Sequence, residues 1–109
     1  GFYERGPYAG PATKRSKTWW AQAEGLVALL AMYQLERDPG YYAKFEQTAA
    51  WVFRDLVDPE YGEWYQDIAE DGSVESTQKA SPWKCPYHNG RACLEVVRRL
   101  DGLAREARR

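Results

Sequence analysis

The chain has 109 residues, the size of one domain, with 15 basic and 16 acidic side chains and a net charge of −1. Apolar content of 44% and charged content of 28% exclude a disordered chain, and the charge balance gives no electrostatic reason to expect a nucleic-acid partner. The longest strongly apolar stretch, around Gly25–Tyr33, is too short to span a bilayer. "GFYERGPYAG" lacks the charged-then-apolar layout of a secretion signal, so the expected location is cytoplasmic, with no membrane partner.

Gly1–Lys17 is expected to be irregular, punctuated by Gly6-Pro7 and Gly10-Pro11. Within it, Gly1-Phe2-Tyr3 could be the tail of a strand whose partner lies outside this chain. Thr18–Arg37 predicts a helix capped by Ser16 or Thr18. Its apolar residues, Trp19, Trp20, Ala23, Leu26, Val27, Leu30, Tyr33 and Leu35, recur close to helical spacing. Glu24 falls on the same stripe as Trp20 and Val27, and a carboxylate there needs a partner or a function. Asp38-Pro39-Gly40 ends this helix. A second is predicted over Tyr41–Val57, with Tyr42, Phe45, Ala49, Val52, Phe53 and Leu56 facing inward.

Tyr61–Glu75 predicts a β-hairpin turning at Asp71-Gly72. A polar loop, Ser76–Pro82, leads to "WKCPYHNGR". Asn89 is expected to cap the last helix, whose inner positions include Ala92, Val96, Leu100 and Leu103. Arginines 98, 99, 105, 108 and 109 complement the dipole at its end rather than forming a binding patch. Cys85 and Cys93 have no zinc-ligand spacing and are expected to be free thiols, buried or half-buried.

The candidate chemistry is concentrated in two places. Trp19-Trp20-x-Gln22-x-Glu24 can be an aromatic wall with a hydrogen-bonding carboxylate, or a core helix whose Glu24 pairs with an arginine. His88 can be a proton-transfer group screened by Trp83 and Tyr87 and oriented by Asn89 or Arg91, or a satisfied histidine beside a helix start. The aromatic content of 15% fits either a packed helical layer or a sugar site. There is no Gly-x-Ser-x-Gly nucleophile motif and no phosphate loop. A glycosidase-type carboxylate pair would need Glu24 and Glu63 to converge, which their spacing does not indicate.

Three segments in order, "KTWWAQAEGLVALLAMYQL", "DPEYGEWYQDIAEDGS" and "KASPWKCPYHNGRACLEVVRRL", resemble the C-terminal part of the N-acylglucosamine 2-epimerase superfamily. The "WKCPYHNGR" run is most similar to its cellobiose 2-epimerase and aldose–ketose isomerase branch. The resemblance runs from Gly1 to Leu103 and implies a mainly α fold, part of an (α/α)6 barrel with a sugar site at one end. It implies that Trp19, Trp20, Glu24 and Trp83 contact a sugar with a reducing end, and that His88 is one of two catalytic histidines. Glu63 and Trp64 match as well, with a structural role expected in the hairpin. The implied chemistry is proton transfer at C2 of an open-chain sugar, which requires no metal or nucleotide cofactor.

The chain holds a single histidine. Three helices cannot close such a barrel, and the uncovered aromatic faces would favour self-association. An isolated monomer is therefore expected to be inactive. The alternative is a non-catalytic module that binds carbohydrate or oligomerises; a third reading is a structural helical domain with a purely aromatic core.

Overall fold

The computed structural model describes residues 1–109. A short strand β1 (Lys17–Thr18) runs into helix α1 (Trp19–Glu36), followed by α2 (Pro39–Trp51) and a π-helical turn over Val52–Leu56. Strands β2 (Asp67–Ile68) and β3 (Val74–Ser76) then precede helix α3 (Tyr87–Ala107). Helix α1 is central and packs against both α2 and α3. Covered on two sides, it buries Trp19, Gln22, Ala23, Leu26, Leu29 and Leu30, a wider stripe than a one-sided helix presents. Leu35, beyond this double contact, is exposed.

The helix ends follow local chemistry. Thr18 occupies the cap position of α1 but makes no side-chain cap bond. The Trp19 N–H instead donates to the Gln66 carbonyl at 2.9 Å, tying α1 to the strand region. Arg37 closes α1 at φ 59°, with its N–H on the Tyr33 carbonyl. Asp38 caps α2 by accepting the Gly40 N–H at 2.8 Å, with Pro39 at the first helical position. The second helix therefore starts ahead of the predicted Tyr41, and its last turn widens rather than continuing as α-helix.

The hairpin turns at Asp71-Gly72 as expected, with Gly72 at φ 88° and Asp71 Oδ1 accepting from the Ser73 N–H. Its strands are shorter than predicted, and β1 pairs antiparallel with β2 to make a three-stranded sheet ordered β1-β2-β3. Ile68 points into the core with Leu30, Leu56, Val52 and Trp64.

Gly1-Phe2-Tyr3 is not a strand. The side-chain amide of Gln22 takes the place of a partner strand: its Oε1 accepts from the Phe2 N–H and its Nε2 donates to the Phe2 carbonyl, both at 2.7 Å. The Phe2 ring lies against α1 at Gly25, where a Cβ would come within 2.2 Å of the ring. Gly25 is thus required by close approach rather than by backbone conformation.

Asn89 does not cap α3. The helix begins at Tyr87 with Pro86 at the cap position, and the Gly90 N–H bonds the Pro86 carbonyl at 2.8 Å. Asn89 is buried inside the first turn, where its amide is drawn to Glu63. Cys85 and Cys93 are free, as expected, but both are exposed. Cys93 lies on the flank of α3 that no element covers, together with the exposed Leu94 and Val97.

Candidate proton-transfer site

The first turn of α3 faces the first two turns of α1, and there the two sequence motifs meet. Glu24 Oε1 lies 2.8 Å from His88 Nδ1, and Glu24 Oε2 accepts from Arg91. The spacing explains the shared partner: His88 and Arg91 are three residues apart, so both sit on one face of α3. The Arg91 bond, aided by the His88 bond, holds the Glu24 carboxyl below the usual carboxylate range. An ionised carboxylate only accepts, so neutral His88 carries its proton on Nδ1 and leaves Nε2 as the free basic nitrogen. Such an arrangement orients the ring and stabilises it when it takes up a second proton.

Aromatic rings frame the imidazole. Tyr87 meets it edge-on at 5.0 Å, Trp19 edge-on at 6.3 Å, and Trp20 tilted at 6.1 Å. Trp19 is 6% exposed and backs the site, whereas Trp20 is 47% exposed and offers part of its face to solvent. Trp83 is 86% exposed. It lines, with Trp19 and Trp20, an open cleft of about 650 Å³ whose other walls include Arg5, Lys14, Gln66, Asp67 and Glu75. The polar walls come from the N-terminal segment and the hairpin, brought together by the β1–β2 pairing.

Glu63 does not converge with Glu24. It sits at φ 64° in the turn after Gly62, with Oε2 accepting from Lys84 Nζ at 2.9 Å and from the Trp64 N–H. Its Oε1 accepts from Asn89 Nδ2 at 2.6 Å. Burial pushes this carboxyl up, but the Lys84, Asn89 and Trp64 bonds outweigh it and the net shift is downward. Sequence reasoning foresaw a structural Glu63 but missed Lys84, because a lysine defaults to the surface and its partner is 21 residues away. No three His, Cys, Asp or Glu side chains gather as a metal site would require, and no helix is long and apolar enough to cross a membrane.

The sequence profile of the N-acylglucosamine 2-epimerase (GlcNAc 2-epimerase) family matches residues 2–92. The chain is similar to the cellobiose 2-epimerase of Ruminococcus albus, 36% identical over 91 residues, which are 78% of this chain and 22% of that protein. It is also similar to the N-acylglucosamine 2-epimerase of Mus musculus, 36% identical over 86 residues, 79% of this chain and 20% of that protein. Among solved structures, the cellobiose 2-epimerase from Spirochaeta thermophila superposes with a TM-score of 0.78 at 38% identity, covering 84% of this chain and 23% of that one. The three helices and small sheet thus form part of an (α/α)6-barrel fold. The chain spans about a fifth of the length of the curated relatives it matches.

Proposed function

The chain belongs to the N-acylglucosamine 2-epimerase family, and on that premise we propose that it is a C-terminal segment supplying one proton-transfer histidine and an aromatic wall to an enzyme acting at C2 of a reducing sugar. The observation that carries this reading is the Glu24–His88 pair, braced by Arg91 and set among Trp19, Trp20 and Tyr87.

In the open-chain sugar the C1 aldehyde acidifies the C2 proton. His88 Nε2 takes that proton, and the electron pair moves into the C1–C2 bond to give an enediolate. Glu24 stabilises the imidazolium so formed, and Arg91 keeps Glu24 ionised. Proton return to the opposite face of C2 gives the epimer; return to C1, with a proton moved between the two oxygens, gives the ketose. Return from the opposite face needs a second group outside this chain, which has one histidine. Trp20 and Trp83 offer flat apolar faces to the C–H faces of the sugar, and Trp19 backs the imidazole.

General acid–base help of this kind contributes about 10²–10⁴-fold. In an enzyme containing this segment, His88→Asn should therefore slow exchange of the C2 proton with deuterated solvent by about that factor, followed by proton NMR. Exchange at the parental rate would remove His88 from the mechanism. The 109-residue chain alone should show no turnover, and robust turnover by purified monomer would contradict the proposal.

The exposure of Trp20 and Trp83 favours a second reading, sugar binding without turnover. Saturable binding by the isolated chain, lost in Trp20→Ala or Trp83→Ala and accompanied by no C2 exchange in the complete protein, is its signature.

A further inference from the structure

Lys84 is the largest fully buried side chain in the molecule, and it is a lysine. Its Nζ donates to Glu63 Oε2 at 2.9 Å and to the Lys79 carbonyl at 3.1 Å, and lies 5.8 Å from the centre of the Trp19 ring. The loop that delivers it is pinned by Ser81, whose Oγ accepts from the N–H groups of Trp83 and Lys84. Glu63, its counter-ion, adopts a left-handed backbone conformation at φ 64°, which an L side chain disfavours. A buried ion pair and a disfavoured backbone are both poor choices for stability, since apolar residues of similar volume commonly serve as well or better.

Their geometry shows what they achieve instead. Asn89 donates to Glu63 Oε1, is 7% exposed, and immediately follows His88 in the chain. Trp19, beneath the Lys84 ammonium, is the ring that meets His88 edge-on at 6.3 Å. The cluster therefore touches His88 from two sides, through the first turn of α3 and through an aromatic neighbour, without contacting the imidazole.

We infer that Glu63, Lys84 and Asn89 are positioning residues for His88, fixing the first turn of α3 and the Trp19 ring so that the imidazole presents Nδ1 to Glu24 and leaves Nε2 free. The purpose assigned to this unit rests on the reading of His88 as a proton-transfer group, but the test reads the imidazole itself and needs no sugar. In a sample labelled with ¹⁵N-histidine, the ring signals lost in His88→Asn are those of His88. Nitrogen shifts at a pH where the ring is neutral report the ratio of Nδ1–H to Nε2–H tautomers. The parent should favour Nδ1–H.

Asn89→Ala should move the ratio roughly three- to tenfold toward Nε2–H, the equivalent of one hydrogen bond, with helix content by circular dichroism unchanged. The paired change Glu63→Gln with Lys84→Met removes both charges of the pair together and leaves no unpaired ion. It should stay folded and shift the ratio in the same direction, which decides the matter if Asn89→Ala does not fold. A parental ratio in the folded paired variant overturns the inference, as does a parent with no preference for Nδ1–H. The proton-exchange experiment on His88→Asn stands apart: its failure would end the catalytic reading while leaving the tautomer result intact.

Discussion

Adjacent residues at the start of α3 answer to two different carboxylates. His88 turns to Glu24 on α1, and Asn89, about 100° further round the helix, turns to Glu63 in the turn ahead of the hairpin. Each carboxylate also holds a cation, Arg91 in one case and Lys84 in the other. The surroundings differ. Glu24, His88 and Arg91 are each about a third exposed, with side chains at 37%, 32% and 38%, whereas Lys84 is wholly buried and its Glu63 partner is 28% exposed. Water and ligands can reach the first group, so its bonds can be exchanged during a reaction. In the second the cation is shielded, so its bonds hold one geometry. On the proposed reading, neighbouring positions on one helical turn carry a proton-transfer group and its anchor, separated only by which face they occupy.

That contrast can be broken most forcefully at Lys84. Lys84→Met leaves the Glu63 carboxylate without its cation, though still bonded by Asn89 and the Trp64 N–H. The expected loss is about 3 kcal/mol, the lower part of the range for breaking a buried pair, measured by urea unfolding. Adding Glu63→Gln should restore most of it. A single-variant loss below about 1 kcal/mol would make this cluster as solvent-adapted as the Glu24 group and erase the distinction.

Glu24→Gln sharpens the comparison from the other side. The ion pairs of Glu24 are partly exposed, so unfolding should become easier by no more than about 1 kcal/mol. The consequence for the imidazole is larger than for the fold: an amide no longer stabilises protonated His88 as a carboxylate does. In an enzyme containing this segment, kcat should fall with little change in KM, the signature of an interaction made in the transition state. A rise in KM with kcat preserved would instead make Glu24 a ground-state contact to the sugar.

The legible parts of the molecule are those whose causes are local. The helical spacing of Ala23, Leu26 and Leu30, the Asp38-Pro39-Gly40 stop and the Asp71-Gly72 turn each act within a few residues, and each lies where expected. Glu24 on an apolar stripe called for a partner and has two. The features that escaped are long-range. Asn89 has the propensity of a cap, but a bond to Glu63, 26 residues earlier, overrides that preference and the helix starts three residues sooner, capped at Pro86. Gln22 stands in for a strand across 20 residues, and nothing in its neighbours announces that. Lys84 lies in the irregular run between the polar loop and α3, where a lysine defaults to the surface. A buried cation is visible only once the turn bearing Glu63 is folded against it.

A third carboxylate combines features of both. Asp58 is nearly buried, with its side chain 7% exposed, while its cation Lys79 is 31% exposed. Lys79 Nζ donates to Asp58 Oδ2 at 2.7 Å and to the Gly62 carbonyl at 2.8 Å, and lies over the Tyr65 ring at 4.5 Å. The Lys79 bond, helped by the Glu60 and Tyr61 N–H groups on Oδ1, brings the Asp58 carboxyl down to about 2. An unfolded aspartate titrates at about 3.9. Folding thus lowers this pKa, so its stabilisation is complete above the unfolded value and is lost as pH falls through about 2. Asp58→Asn keeps an oxygen for the two N–H groups but no longer titrates. Its unfolding free energy should fall less steeply than the parent's between about pH 4 and 2, measured by urea unfolding at each pH. Equal slopes would place the acid sensitivity on Glu24 and Glu63, whose carboxyls folding also lowers, and would reduce Asp58 to a cap for the turn that carries Glu63.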